Sequence, residues 1–507
     1  MSIAKTFSAQ LNGLRTEIIT IEVDISHGLH SFSIVGLGDR SIDEAKDRIS
    51  ASIKNSGFIS PKQKNEKIII SLGPADIRKE GSSFDLGMTM AYLKASKDID
   101  FDSSNTIFLG ELSLDGKINR ISGILPILSS LKDHGFTSAI IPRSNSQEAR
   151  LIDGLDIYPA QDIVEVTRHL TDITKIDRIT FDPNISNNTK DRFDIVMVKG
   201  NDTAKRGLEI AGAGAHNIAL YGPPGTGKTL LAQCFQSILP DLDYNQSIEV
   251  TGIHSISNHF HTELITRPPF RAPHHTASYP AIVGGGNIPK PGELTLAHRG
   301  ILFLDEFPEF EQNVIESLRQ PLENREITIS RAKGSVTFPA QCILIISMNP
   351  CPCGRPQDTG CTCTKASLER YSRKISGPIK DRIDIWINVD KVDYNRLGSK
   401  GDLSEDSYTV RNRIIGARSR QKSRFANLNI NKSFNSEISS NEIEKAINIE
   451  EKARNILIEY GEKLHLSGRT FHRIMKVGRT IADLQGSNTV NTNHILEALQ
   501  YRPNSSI

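Results

Sequence analysis

Gly222-Pro223-Pro224-Gly225-Thr226-Gly227-Lys228-Thr229 is the stretch that decides how this chain is read. It fits G-x-x-x-x-G-K-[ST] in full, and its flanks agree. Asn217-Ile218-Ala219-Leu220-Tyr221 before it reads as a short buried strand, and Leu230-Leu231-Ala232-Gln233-Cys234-Phe235 after it as a helix start. A nucleotide phosphate needs that arrangement. Small residues let backbone N–H groups close around the β-phosphate, and the helix N-terminus adds a positive dipole. Lys228 reaches the β and γ oxygens, and Thr229 can ligate Mg²⁺. A plain Gly/Pro turn is the competing reading, which the full pattern in this context disfavours.

Working outward, Gly300-Ile301-Leu302-Phe303-Leu304-Asp305-Glu306 is an apolar run closed by two acids. That is the pattern of a buried parallel strand with carboxylates at its C-terminal end. Asp305 can hold the Mg²⁺ that Thr229 also touches, and Glu306 can orient or deprotonate an attacking water. Residues 342–347 predict the next strand, and Asn349 beyond it stands where AAA+ ATPases place sensor 1. Ser376-Gly377-Pro378-Ile379-Lys380-Asp381-Arg382 brings an arginine to the start of another strand. In oligomeric ATPases such an arginine reaches a neighbour's γ-phosphate. The plainer reading of Arg382 is a surface salt bridge with Asp381 or Asp384. Arg469, in Ser467-Gly468-Arg469-Thr470-Phe471-His472-Arg473, falls near a helix start where AAA+ lids carry the sensor-2 arginine. Arg473, one turn on, competes for that role.

Two insertions decorate this core. Residues 266–293 are rich in Pro and Gly and hold Arg267, Arg271 and the pair His274-His275. No third ligand at metal spacing accompanies the histidines, so a loop or pore contact is the better reading. Residues 325–340 alternate around Ala332-Lys333-Gly334, a β-hairpin with Arg331 and Lys333 at a basic tip. Four of the six cysteines then cluster as Cys351-Pro352-Cys353 and Cys361-Thr362-Cys363. Four thiolates can converge there on a tetrahedral Zn²⁺, a closed structural site with no open coordination position. An unmetallated thiol loop and an iron–sulfur cluster are the alternatives. Cys234 and Cys342 sit in apolar runs and read as core residues.

Toward the N-terminus, residues 19–34 alternate in two runs and predict a hairpin. Helices are expected at 41–55 and 85–93, and strands at 67–71 and 106–108. Gly36-Leu37-Gly38 lacks the third glycine of a dinucleotide fingerprint. Lys79-Glu80-Gly81-Ser82-Ser83-Phe84-Asp85 and Leu109-Gly110-Glu111-Leu112-Ser113-Leu114-Asp115-Gly116-Lys117 resemble the proteolytic domain of Lon-type proteases. That domain shares its fold with a ribosomal-protein (S5-like) domain. Ser83 falls on the family's serine, but the position of its partner lysine is Leu125. A serine without a positioned base is an ordinary polar residue, so the resemblance implies a structural or binding domain. Residues 171–192 lose periodicity and read as a linker.

Composition sets limits. The 507 residues carry 61 Lys+Arg against 59 Asp+Glu, so overall charge steers the chain to no polyanion, and nucleic-acid contact must come from local patches. No apolar run approaches a membrane span and the N-terminus lacks a signal-peptide core, so a soluble cytoplasmic protein is expected. Residues 411–424 hold six Lys/Arg and no acid, which is either a solvated helix face or a phosphate-backbone contact. Helices are expected at 441–460, 467–485 and 491–501.

Over nearly its whole length the chain resembles the magnesium-chelatase-like AAA+ proteins of the ComM (YifB) type. The marks are Lys79-Glu80-Gly81, the phosphate loop, Arg271-Ala272-Pro273-His274-His275, Asn349-Pro350-Cys351-Pro352-Cys353-Gly354 and Ser376-Gly377-Pro378. The resemblance implies a multidomain α/β protein. Residues 1–172 would form a Lon-protease-like (S5-like) α+β domain without proteolytic activity, and 173–192 a linker. Residues 193–395 would form an AAA+ P-loop core, with 266–293 as helix-2 insert, 325–340 as pre-sensor-1 hairpin and 351–363 as the zinc loop. Residues 396–507 would form a helical lid. It further implies a homohexameric ring that uses ATP, Mg²⁺ and a structural Zn²⁺. Such rings act as branch-migration helicases on single-stranded or branched DNA during natural transformation and homologous recombination, with recombination proteins as partners. Arg267, Arg271, Arg331 and Lys333 are the expected DNA contacts. The alternatives are a magnesium-chelatase subunit, an ATP-dependent protease and a protein-remodelling ATPase.

Overall fold

The computed structural model describes residues 2–79, 81–182, 192–257, 264–286, 289–331, 334–355, 360–391 and 405–503. The chain divides into two compact units, Met1–Asn187 with Tyr244–Ile265, and Asn188–Asp243 with Thr266–Ile507.

The first unit is built on a seven-stranded sheet. Ile19, Ile21 and Val23 are fully buried, as their alternation predicts. Their strand Arg15–His27 (β2) nevertheless does not pair with Ser31–Val35 (β3), so the expected hairpin at 19–34 is absent. β2 pairs antiparallel with Ser2–Asn12 (β1), from Ser2 opposite Ile25 to Asn12 opposite Arg15. The short turn holds Gly13 at φ +67°, a left-handed conformation that glycine adopts without steric cost. Glu66–Gly73 (β4) lies between β2 and β3. Thr106–Phe108 (β5), Ser138–Pro142 (β6) and Asp156–Ala160 (β7) complete the order β3-β4-β2-β1-β5-β6-β7. The expected helices form as Arg40–Asn55 and Asp85–Ala95. Leu125 is buried in the helix Ile124–Ser130, so no base stands at the position a serine–lysine dyad would use.

Two boundaries differ from those expected. The linker reading holds 173–182 too loosely. Ile176 is buried, Ile179 N donates to Ile157 O at 2.8 Å and Asp182 N to Arg150 O at 3.0 Å, which ties this stretch to the first unit. Residues 183–191 lie outside the described residues. The helix Tyr244–Ile256, which follows the phosphate-loop helix in sequence, also belongs to the first unit. It packs on Ile124–Ser130 where Gly252 meets Pro126, and Tyr244 sets its ring edge-on to Phe181 at 6.0 Å.

The second unit carries a five-stranded, all-parallel sheet. Its strands are Ile218–Tyr221 (β8), Phe270–Arg271 (β9), Ile301–Leu304 (β10), Ile343–Met348 (β11) and Ile385–Asn388 (β12), in the order β9-β10-β11-β8-β12. β8, β10 and β11 are almost wholly apolar and buried, as expected for parallel strands covered on both faces. The expected hairpin forms from Glu326–Arg331 and Gly334–Pro339, with Glu326 opposite Pro339.

The helical C-terminal region was expected as a lid over 396–507, and its described residues share one hydrophobic core with the sheet. Ile414, Ala417, Phe425 and Ile481 pack with Leu208, Ala211, Leu231 and Phe235. Gly212 makes room for Ile414, and Trp386 N in β12 donates to Tyr501 O at 2.8 Å. The basic run 411–424 lies on the helix Ser407–Asn427 and is neither a solvated face nor a phosphate contact for most of its length. Arg411 donates to Ser237 O and Arg418 to Gly212 O, Arg413 pairs with Glu209 and Glu405, and Arg420 and Arg424 bond Asp483. Burial pushes the Arg418 guanidinium down to about 10. Arg411, Arg413 and Arg418 thus tie the helical region to the helices Asp202–Gly214 and Lys228–Ile238 beside the sheet, while Arg420 and Arg424 tie the helical region to itself.

Candidate functional site

The strand β8 delivers the chain into the glycine-rich loop, and the helix Lys228–Ile238 starts directly after it. Gly225 and Gly227 take φ +78° and +87°, so the loop curls in a conformation that other residues adopt only with strain. Lys228 is buried and its ammonium faces inward. Nζ donates to Gly222 O at 2.7 Å, Pro223 O at 2.8 Å and Asn349 Oδ1 at 3.2 Å. Burial lowers its pKa from the ordinary lysine value. The predicted lysine and the predicted Asn349 are thus brought together across neighbouring strands.

The two acids close β10 as the sequence pattern requires. Thr229 Oγ1 donates to Asp305 Oδ2 at 2.9 Å, so the hydroxyl and the carboxylate suited to one Mg²⁺ already touch. Glu306 follows at φ +50°, with Asp305 Oδ1 accepting from its backbone N–H at 3.0 Å. That left-handed backbone swings the Glu306 side chain out of the strand direction, and its carboxylate is 57% exposed. A nucleophile-activating group needs such access to water.

Asn349 leads straight into the cysteine loop. Cys351, Cys353, Cys361 and Cys363 place their sulfurs within 4.8 Å of one another. Zn–S bonds of about 2.3 Å set tetrahedral sulfurs roughly 3.8 Å apart. Cys353 to Cys361 at 3.7 Å and Cys361 to Cys351 at 3.6 Å fit that spacing. The donor set therefore suits a tetrahedral metal. Burial pushes the Cys351 thiol up to about 12, while the backbone N–H of Arg355 draws exposed Cys353 down to about 6. The loop also leans on the phosphate loop. A Cβ on Gly354 would stand 3.1 Å from Pro224 Cδ, and Tyr371 OH donates to Asn349 O at 3.2 Å.

The other predicted arginines are placed less simply. Arg382 is 15% exposed, donates to Arg319 O at 3.0 Å and Pro378 O at 2.7 Å, and pairs with Glu323. Its partner is therefore Glu323, not Asp381 or Asp384. Arg469 is exposed at the start of the helix Gly468–Leu484. Arg473 is buried and donates to Ile383 O and Asp381 O, each at 2.7 Å, so it clamps the segment that carries Arg382. Arg267 pairs with Asp241 at 3.2 Å. Arg271 lies in β9 of the sheet itself and gives Glu293 two hydrogen bonds, at 2.6 and 2.7 Å. Of the hairpin tip, Lys333 lies outside the described residues, and Arg331 ends its strand opposite Gly334.

Sequence reasoning missed one neighbour of the acids. His275 Nδ1 lies 3.5 Å from Glu306 Oε2. It sits in the loop after β9, and a strand of two residues gives no periodicity from which the sequence could have announced that placement.

Phosphate loop, paired acids and strand-end asparagine on this parallel sheet define a P-loop nucleotide-binding protein of AAA+-like architecture. The family model "Magnesium chelatase, subunit ChlI" matches residues 184–397, "Subunit ChlI of Mg-chelatase" matches 21–145, and "Magnesium chelatase, subunit ChlI C-terminal" matches 404–502. The chain is 39% identical to competence protein ComM of Haemophilus influenzae, across 99% of this chain and 98% of that protein. It is 37% identical to the uncharacterized protein YifB of Escherichia coli, across 99% and 97%. The chain belongs to the ComM/YifB-type magnesium-chelatase-like family. A shorter match, 25% identical over 31% of this chain and 19% of the relative, is to the DNA replication licensing factor mcm7 of Xenopus tropicalis.

Proposed function

We propose that the chain is a Mg²⁺-dependent ATPase that works as a homohexameric DNA motor, a branch-migration helicase promoting strand integration in transformation and recombination. The observation that carries the enzymatic part is the convergence of Lys228, Thr229 with Asp305, Glu306 and Asn349 around one loop. Support for DNA comes from the competence protein and the replication licensing factor among the relatives, and from the basic hairpin at 325–340.

Each residue has a distinct task in that reading. Lys228 exchanges the carbonyls of Gly222 and Pro223 for phosphate oxygens, and the first turn of its helix receives the β-phosphate. Thr229 and Asp305 would hold Mg²⁺, and the ion would supply charge neutralisation at the phosphate oxygens. Glu306 takes the proton of the attacking water, and Asn349 fixes the water or the γ-phosphate. Arg382 serves the neighbouring subunit's site once released from Glu323, Arg469 approaches the phosphate from the helical region, and Arg473 keeps its clamp. With Arg271 held by Glu293, DNA contact rests on Arg331 and Lys333, with Arg267 secondary. Among the described residues no helix is long and apolar enough to cross a membrane, and a cytoplasmic site of action fits this reading.

ATP turnover measured with single strands, duplexes and forks tests the reading. Stimulation by DNA is expected, and Lys333→Ala should weaken it about tenfold while leaving DNA-free turnover within about twofold, because it removes only a phosphate contact. Equal turnover with and without every DNA form would count against a DNA motor. The chelatase name on the family models makes porphyrin metallation the competing activity, and insertion of Mg²⁺ by the chain would favour it.

The cysteine loop takes structural zinc in this reading, and it props Asn349 and Pro224. Purified chain should carry one zinc, and its removal with a chelator should weaken nucleotide binding about tenfold as the loop loses its tetrahedral tie. Metal content by mass spectrometry and binding of a fluorescent nucleotide are the readouts. A metal-free chain that binds nucleotide as tightly as the loaded one would uncouple the loop from the site.

A further inference from the structure

Glu437 is distant in sequence from the basic hairpin, yet its carboxylate holds both ends of it. One oxygen is committed to its own loop in the helical region. Glu437 Oε2 accepts from Ser433 N at 2.7 Å and from Phe434 N at 3.2 Å, which fixes the turn Asn435–Glu437. The other oxygen faces the hairpin. Oε1 accepts from Arg325 Nη1 at 2.8 Å and from Gln341 Nε2 at 2.5 Å, and Ser436 Oγ accepts from Arg325 Nη2 at 3.2 Å. The Glu437 side chain is only 7% exposed, so these bonds form largely out of water, where each is stronger.

Arg325 and Gln341 flank the hairpin. Glu326 stands opposite Pro339, and Ala340 N donates to Arg325 O at 2.8 Å beneath that pair. Arg325 ends the helix Arg319–Asn324 at φ +61°. Helices that end in this way mostly use glycine, which has no Cβ to crowd the backbone. An arginine there costs backbone strain and supplies the guanidinium that reaches Glu437. Each leg of the hairpin then leads toward the site. Two residues before Arg325, Glu323 pairs with Arg382, and Arg319 O accepts from Arg382 Nε at 3.0 Å. Beyond Gln341, β11 ends next to Asn349, whose Oδ1 meets Lys228 Nζ.

We propose that Glu437 is a positioning residue that couples the hairpin to ATP turnover: through Arg325 and Gln341 it makes the two legs and the helical region move together when DNA engages the tip. The proposal rests on the DNA-motor reading. Coupling between two sites of one protein amounts to about 5–150-fold. Without the tie, stimulation of turnover by forked DNA should fall about fivefold or more. DNA-free kcat, KM for ATP and fork affinity should each stay within about twofold of wild type. A residue that merely held the fold together would lower all of them.

The experiment measures ATP turnover with and without a forked duplex, and fork affinity, for wild type, Glu437→Ala, Arg325→Gly and the double variant. Arg325→Gly removes the guanidinium and suits the left-handed turn, so the backbone is kept. Both single variants should lose the stimulation, and the double variant should lose no more than the stronger of them, because all three break one tie. If the fork does not stimulate wild type, the DNA-motor reading fails and this proposal with it. If the fork stimulates wild type and both single variants equally, the coupling role alone is overturned. An equal fall in DNA-free turnover or in fork affinity, or a double variant worse than either single one, would also overturn it.

Discussion

Glu306→Gln is expected to lower ATP turnover by about 10²–10⁴-fold while nucleotide still binds within about twofold of wild type. The reasoning starts from position. Asp305 is committed to Thr229, which suits the proposed metal role, whereas Glu306 turns away from the strand and its side chain is exposed. Glutamine keeps the shape and removes the basic oxygen, so only the proton-accepting step suffers. Binding depends on Lys228 and the loop N–H groups, which the substitution leaves alone. Steady-state hydrolysis and fluorescent-nucleotide titration separate the two effects. A drop of less than tenfold would mean that another group activates the water.

The largest effect on stability is expected at Asp483, which is nearly fully buried within the helical C-terminal region. It accepts from Arg424 at 2.7 and 2.9 Å, from Arg479 at 2.9 Å and from Asn435 at 2.8 Å. Thr480 and His216 continue the network to Asp384, ahead of β12. Asp483→Ala leaves the guanidinium groups of Arg424 and Arg479 without their carboxylate, with only neutral oxygens of Asn435, Ser487 and Asn488 as partners. Removing one partner of a buried pair costs about 3–5 kcal/mol, because the other charge stays uncompensated. Denaturant unfolding followed in the second unit should show that loss, and a value under about 1 kcal/mol would mean that the arginines find new partners.

The meeting of Lys228 with Asn349 and of Thr229 with Asp305 was legible because its information is local. A phosphate loop must write its glycines, lysine and hydroxyl in one run, and an acid pair must close an apolar strand. The first hairpin was misread because β1 hides. One face of Ser2–Asn12 buries Ala4, Thr6 and Ser8, which are small or polar, and only Phe7, Ala9 and Leu11 on the other face alternate as apolar residues, so the stronger runs at 19–34 were paired with each other instead. Tyr244–Ile256 gave no sign of leaving the ATPase segment, since the Pro126 that Gly252 meets is distant in sequence. The basic helix deceived in the opposite way. Its charges are visible in sequence, but the backbone carbonyls of Ser237 and Gly212 that absorb them are not. Arg473 and Arg469 were indistinguishable by spacing alone, and burial separates them.

His275 belongs with these long-range facts. The pair His274-His275 was visible and its metal reading was weak, but its partner lies across a sheet edge made by two residues. Once β9 is in place, the loop that follows it reaches Glu306. A segment expected as decoration on the core is in part the core's own edge strand.

The most direct test of the central claim is strand separation on a forked duplex with fluorophores on opposite strands, followed together with ATP turnover. Wild type is expected to separate the strands only with ATP and Mg²⁺, with turnover rising on the fork, and Glu306→Gln should bind the fork without separating it. Turnover that is indifferent to the fork, with the strands left paired, would contradict a DNA motor.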